Sequence, residues 1–418
     1  MEIFDKSKKI NLITKIIFIG FITSVSFHLF CHNILKLGYP YKTFLFAAHD
    51  RFNDFFNIYP LMKNLDPFHN ITFGTHFPVS IIIEYLWTLM DKKISFIIYL
   101  FIFITYYVYY NYKFIYSNSE KRQSIISLII ISFLSYPFIF AIDRGNIEIY
   151  LYLFLSLFFY FYYIKKNEIL SIVFLSIAIG MKLFPAVFLV ILFKDKQYKQ
   201  LFLTIVVTIV LSIGSLSLVS GALLDNIKLF ISVLSNYSQL YIIGSPGHAA
   251  GLGFNNSLFG FIRLAGPNIY MLNYYNNAEI VLRAYLIFSL FFFSLISLYI
   301  LLKENVLWKQ IALLVFCMNL LPYVSADYKL IHIYIPLLFF LISKENSSFD
   351  RLYAFLFGFL LIPKAYYIIS KMITDSGRAD INIGVILNPL LMISFCMLII
   401  WEGLFYKKEI NSGMVAKV

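Results

Sequence analysis

Residues 165–199 read KKNEILSIVFLSIAIGMKLFPAVFLVILFKDKQYK. Both flanks are basic: Lys165 and Lys166 precede the apolar run, and Lys194, Lys196 and Lys199 follow it. Cytoplasmic turns collect Lys and Arg, so a single crossing here would leave one basic flank on the wrong side of a membrane. Pro185 also interrupts a continuous helix, because its ring removes an N–H and clashes with the preceding turn. The stretch therefore reads as two short helices that enter and return, with Lys182 at the extracytoplasmic turn. That choice sets the orientation of every later segment.

The rest of the chain has the same apolar character. Of 418 residues, 60% are hydrophobic and 13% charged, with a mean hydropathy of +0.79. A soluble globule carries roughly 25% charged residues, so the composition indicates a polytopic membrane protein. Alternating ten-residue strand patterns are missing, which argues against an outer-membrane barrel and for an all-α bundle. The net charge of +12 sits mostly in short Lys/Arg clusters between apolar runs, where positive-inside topology accounts for it and no nucleic-acid partner is implied. Cys31, Cys317 and Cys396 show no CxxC spacing, so neither a disulfide framework nor a zinc site is indicated. The basic start and apolar run of MEIFDKSKKINLITKIIFIGF lack a small-residue cleavage pattern and read as an uncleaved first span.

Apolar run length and basic turns predict spans near 11–30, 94–116, 124–141 and 147–164, then the pair within 169–193. Further spans follow near 200–219, 279–302, 308–323, 329–343, 350–370 and 383–403. The total is about 12 with both termini inside, and the chain reads as one integral membrane domain over 1–418. Two long extracytoplasmic loops cover 31–93 and 220–278. Residues 77–90 are too few to cross, since ~20 are needed; they read as an amphipathic helix at the interface. If they crossed, every downstream segment would invert.

This topology gathers the unusual polar residues on one face. Asp54, Asp143-Arg144-Gly145-Asn146, Lys182, Asn255-Asn256-Ser257, Arg263, Asp327-Tyr328-Lys329 and Arg378 all fall at the extracytoplasmic ends. A charge near the bilayer centre costs on the order of 2.5–3.5 kcal/mol by insertion scales, so one-sided convergence of this kind points to joint use. Asp54 lies in the acidic, aromatic stretch AAHDRFNDFFNIYPLMKNLDPF, residues 47–68. It reads as a general base or as a loop or cap acid; Asp50 competes for the role, and Asp66, before Pro67, suits a turn. Lys182 suits an anion such as a lipid phosphate, or snorkelling to headgroups. Asp143-Arg144 reads as a span-end ion pair or as the wall of a site shaped by Gly145 and Asn146. Asn255-Asn256-Ser257 suits a helix cap or sugar hydroxyls. Lys329 and His332 share a helical face and suit phosphate contact, or interfacial anchoring with Tyr328. No Walker loop, HExxH or GxSxG is present, and DRFND is not a DxD metal motif.

Taken together these residues resemble glycosyltransferase family 87, within the GT-C superfamily of membrane glycosyltransferases. The likeness is carried by Asp54-Phe55, Tyr59 and Asp66-Pro67-Phe68, by Arg144-Gly145-Asn146, and by Gly180 to Pro185 with Lys182. Asn255-Asn256-Ser257-Leu258 with Arg263, Ser325 to Lys329, and Asn388-Pro389 continue it. Asn stands where the family has Gln at 146 and 256, and Lys329 stands where the family often has His. The resemblance implies a GT-C-like bundle and an inverting, metal-independent transfer that needs no cofactor. A sugar, mannose-like or arabinose-like, would pass from a polyprenyl-phosphate donor to a glycolipid or glycan acceptor. It implies Asp54 as the catalytic base, with Lys182, Lys329, His332 and Arg263 on the donor phosphate. Asp50, Tyr59, Asp143, Arg144, Asn146, Asn255, Asn256, Ser257, Asp327 and Tyr328 would contact substrate. The setting would be a bacterial cytoplasmic membrane, among its lipids, with the site facing outward. Two rivals remain at this level: an O-antigen-type polymerase or ligase relying on loop arginines, and a transporter of lipid-linked sugars, which would favour charges along a central path and inverted repeats.

Overall fold

The computed structural model describes residues 5–38, 51–65, 67–68, 77–116, 121–238, 255–269, 274–364, 368–374, 377–382 and 383–406. Asp50 and Asp66 lie outside the described residues. In chain order the helices are α1 Lys6–Leu29, α2 Asn53–Lys63, α3 Pro78–Thr88, α4 Lys92–Ile115, α5 Lys121–Phe133, α6 Tyr136–Arg144, α7 Glu148–Phe159, α8 Glu168–Met181 and α9 Leu189–Lys194. They continue as α10 Tyr198–Leu218, α11 Leu223–Ser238, α12 Leu258–Ile269, α13 Tyr274–Leu302, α14 Leu307–Leu320, α15 Tyr334–Ile342, α16 Asp350–Leu361 and α17 Gly384–Phe405. The helical architecture expected from the apolar runs is therefore present. Its exception is an antiparallel hairpin, β1 Ile368–Thr374 and β2 Gly377–Asn382, between α16 and α17. The apolar run expected as a span to residue 370 ends as helix at Leu361, short of the β-branched segment Ile368-Ile369.

Side-chain chemistry sets several helix starts. Asp5 caps α1 by accepting from the Lys8 N–H at 2.9 Å. Asp91 accepts from the Lys93 and Ile94 N–H groups at 3.0 and 3.3 Å to open α4. Asn167 does the same for α8 through Leu170 at 3.0 Å. Each satisfies a donor that the first helical turn leaves orphaned.

Five of these elements are long and apolar enough to cross a membrane: Lys6–Ile34, Lys92–Ile115, Tyr198–Leu218, Glu279–Leu302 and Gly384–Phe405. α5 and α6, bent by 47°, form a sixth candidate as one broken span. The chain is a membrane protein by this measure. α10 and α13 leave large apolar side chains such as Phe202 (63%) and Phe291 (60%) exposed, as lipid-facing helices do. α14 and α15 are instead enclosed almost throughout and form the centre of the core.

The Lys182 stretch folds as its charges require. α8 stops at Met181, Lys182 is extended, and a 3-10 turn Phe184–Phe188 leads into α9. The two ends of this pair meet at the same end of the bundle. Tyr162, in the π-helical turn Tyr160–Ile164 that follows α7, donates to Asp195 at 2.9 Å, and Lys194 donates to the Ile300 carbonyl at 2.7 Å. α8 rises roughly 21 Å at 1.5 Å per residue, short of the ~30 Å hydrocarbon core. α3, with 11 residues, is shorter still and packs against α2, α4, α8 and α10.

Buried ion pairs hold the helices around that end. Lys9 pairs with Asp350 at 2.9 Å, both almost wholly buried, and Lys309 pairs with Glu402 at 2.7 Å. Ser347 donates to the same Glu402 carboxylate at 2.6 Å. α1, α14, α16 and α17 are thereby tied together. The other end of the bundle holds a second, separate set of polar groups.

Candidate active site

At that second end, α2 is held by its first residues. Phe52 precedes it with φ +56°, a left-handed conformation that a bulky residue adopts only under surrounding constraint. The constraint is visible: the Phe52 N–H donates to the Asp143 carbonyl at 2.6 Å, and its ring packs on Phe96 at 4.7 Å between centroids. Asp54 follows in the first helical turn, where the helix dipole favours a carboxylate. Its oxygens leave the helix altogether. Arg144 donates to Oδ1, and the Asn146 amide donates to Oδ2 at 2.7 Å. A cap would have turned back to its own backbone, so local helix capping does not account for Asp54. Its side chain is 18% exposed and that of Arg144 20%, which leaves the carboxylate within reach of a bound molecule.

Gly145 makes this pairing possible. It terminates α6 with φ +60°, and a Cβ there would lie 3.2 Å from the Phe55 Cβ and 3.3 Å from the Phe96 ring. Only glycine meets both conditions without strain. Asn146 then works in two directions: its amide N–H₂ goes to Asp54, while its carbonyl oxygen accepts from the Glu148 N–H at 3.0 Å and opens α7. Tyr99 of α4 donates to the Asn146 backbone carbonyl at 2.9 Å and fixes the turn from below.

Glu148 is the centre of the next cluster. Its carboxylate is fully buried; Lys182 donates to Oε2, and His332 Nε2 lies 2.8 Å from Oε1. Lys329 is close enough to interact electrostatically with the same carboxylate. The Lys329 ammonium sits 4.0 Å above the Phe184 ring and donates to the Val324 carbonyl at 3.1 Å. Lys182 lies 5.6 Å from the Tyr328 ring centre. Two lysines and one histidine thus surround one carboxylate. A buried carboxylate needs such compensation. His332 is fully enclosed, so in this arrangement it orients Glu148.

A third group joins Asn255–Ser257 to Asp327. Asn255 Oδ1 accepts from the Ser257 and Ser325 N–H groups at 3.0 and 2.9 Å, and Ser257 Oγ accepts from the Gly260 N–H at 2.9 Å as α12 begins. The Asn256 amide and the Tyr136 hydroxyl both donate to the Asp327 carboxylate. Asn388 of α17 donates to Asn256 Oδ1 at 2.8 Å. Asp327 lies in the segment between α14 and α15; burial pushes its carboxyl up to about 6, although those two hydrogen bonds and the Lys364 cation oppose the shift. Capping and positioning thus account for Asn255 and Ser257. Arg263 is buried on α12. For Arg378 the backbone alone, in β2, is described.

Asp54, Arg144, Asn146, Lys182, Lys329, His332, Tyr328 and Asp327 therefore do gather at one end of the bundle. Glu148 was missed, although a Glu at the head of a long apolar run needs a cation and is a readable signal. Tyr136 was missed for lack of any signal in a chain with 32 tyrosines. Among the described residues no group of three or more His, Cys, Asp or Glu side chains is arranged to hold a metal ion.

Comparison with known proteins gives a family match. The family model "Glycosyltransferase family 87" covers residues 75–322, more than half of the chain. Arg144, Asn146, Glu148, Lys182 and Asn255–Ser257 fall inside it; Asp54 and Asp327–His332 lie outside. No curated protein and no solved structure matches. With its helical bundle, its membrane-length spans and this match, the chain belongs to glycosyltransferase family 87.

Proposed function

We propose that the protein transfers a sugar from a polyprenyl-phosphate donor to a hydroxyl of a glycolipid or glycan, at the extracytoplasmic face of a bacterial cytoplasmic membrane. About twelve crossings, including the shorter helices, would carry the site. The observation that supports this most is the adjacency of two opposite chemistries. A partly exposed carboxylate, Asp54, is positioned by Arg144 and Asn146. Two residues beyond Asn146, Glu148 gathers Lys182 and Lys329 around its carboxylate.

Inverting transfer needs this division. Asp54 accepts the proton of the acceptor hydroxyl as its oxygen attacks the anomeric carbon. The bond from that carbon to the phosphate oxygen breaks, and its electron pair leaves with the lipid phosphate. Lys182 and Lys329 stabilise the charge that develops there. Glu148 and the enclosed His332 keep Lys182 aligned between turnovers. The cations supply what a metal would otherwise supply, and the lipid-linked donor is a substrate.

Purified protein in lipid nanodiscs, assayed in EDTA with a mannosyl- or arabinosyl-phosphoprenol and a mixed glycolipid acceptor extract, is expected to form glycosylated lipid. The matching nucleotide sugar is expected to give none. Transfer from the nucleotide sugar alone would refute the donor assignment.

A further inference from the structure

The turn after α8 carries an aromatic ring that faces two cations. α8 ends at Met181, Lys182 is extended, and Phe184 opens the 3-10 turn with Pro185 beside it, which fixes the backbone that bears the ring. The Lys329 ammonium sits 4.0 Å from the centre of the Phe184 ring, and the Lys182 ammonium 5.8 Å from it. The two lysines are otherwise held differently. Lys182 donates to the Glu148 carboxylate. Lys329 donates to the Val324 carbonyl at 3.1 Å; among the described residues no carboxylate pairs with it directly, and Glu148 acts on it at longer range. Lys329 is 5% exposed, so the ring face stands in for part of the water its ammonium has lost.

A ring and a carboxylate hold a lysine with different consequences. A carboxylate cancels the charge of the ammonium and repels an incoming phosphate. A ring face attracts the cation through its quadrupole and carries no net charge, so the ammonium stays positive toward a third group. An ammonium has three donors, and Val324 takes one of those on Lys329. Lys182 and Lys329 are also close enough to repel each other, and an anion shared by them relieves that repulsion. We propose that Phe184 is a positioning residue for the donor phosphate. Its face holds the Lys329 ammonium, with no acid paired to it, beside Lys182 where charge gathers on the leaving group. This rests on the transferase reading for the identity of the anion.

The electrostatics of the ring can be changed at nearly constant size. Phe184 is replaced by mono-, di- and trifluorinated phenylalanine, whose fluorines draw electron density off the face. Protein in nanodiscs is then titrated calorimetrically with geranyl phosphate, with uncharged geraniol as the control. The Kd for the phosphate is expected to rise stepwise along the series, by about fivefold at the trifluorinated ring, and to stay near its starting value in Phe184→Tyr, which keeps the face. In Lys329→Met the series should be flat, and geraniol should not follow it in any background. The fluorinated rings keep the packing of phenylalanine, so the series is readable even if Lys329→Met fails to fold. A Kd that stays constant along the series would overturn the assignment. A falling Kd would overturn it too, because the ring would then compete with the phosphate for Lys329. Melting temperatures without ligand separate this from the transferase reading: fluorination should lower them when Lys329 is present and not in Lys329→Met. That coupling in a protein that binds no geranyl phosphate would sink the donor reading and leave the hold of Phe184 on Lys329 standing. Equal phosphate binding with every ring would do the reverse.

Discussion

Asp54→Asn is expected to abolish transfer while leaving donor binding intact. The substitution keeps the size of the side chain and its place beside Arg144 and Asn146, but it removes the group that takes the acceptor proton. General-base catalysis contributes on the order of 10²–10⁴ in rate, so turnover should fall by about that factor. Donor affinity should move little, because the cations assigned to the phosphate belong to the Glu148 cluster, on other elements. Single-turnover kinetics with a labelled donor, beside equilibrium donor binding, separate the two. A transporter, or a polymerase relying on loop arginines, would tolerate the change, and near-normal transport or chain growth in Asp54→Asn would favour those rivals.

The second large effect concerns stability. Lys182→Met removes a cation from the fully buried Glu148 carboxylate. Breaking a buried ion pair on one side costs about 3–5 kcal/mol, because the remaining charge stays desolvated. His332 and Lys329 remain nearby and reduce the loss, so the lower part of that range is expected, read as a lower melting temperature in detergent. Adding Glu148→Gln to Lys182→Met should recover most of it, since the stranded charge is then gone. Activity should not return, because the phosphate has lost its lysine. A double variant as unstable as the single one would show that Lys182 matters for packing and not for charge. The non-additivity of such a cycle measures the pairing directly.

How much of this was legible in sequence depended on the range of the signal. The break at Lys182 was readable because it rests on local facts: two basic flanks, an apolar run of limited length and Pro185. Asp54 stood out as an acid among aromatic residues, and Asn146 as a turn residue before an apolar run. The pairings were not readable. Arg144 turning to Asp54 joins residues 90 apart, and Asn388 to Asn256 joins residues 132 apart; no periodicity encodes such contacts. His332 shared a helical face with Lys329 and suited phosphate contact, yet the fold encloses it behind Glu148, a burial that spacing does not reveal. The hairpin at 368–382 was hidden by apolar composition, because a short apolar run suits a strand as well as a helix. The burial of Glu84 depends on α3 packing between α2 and α4, which spacing along the chain does not reveal.

The proposed transfer requires a single site open to the extracytoplasmic side. Single cysteines at Arg51, Leu183 and Tyr328, beside Asp54, Lys182 and Asp327, test it in a background without Cys31, Cys317 and Cys396. A membrane-impermeant maleimide applied to intact cells is expected to label all three. Labelling of Arg51→Cys from outside, with Leu183→Cys and Tyr328→Cys reached only after the membrane is opened, would contradict it.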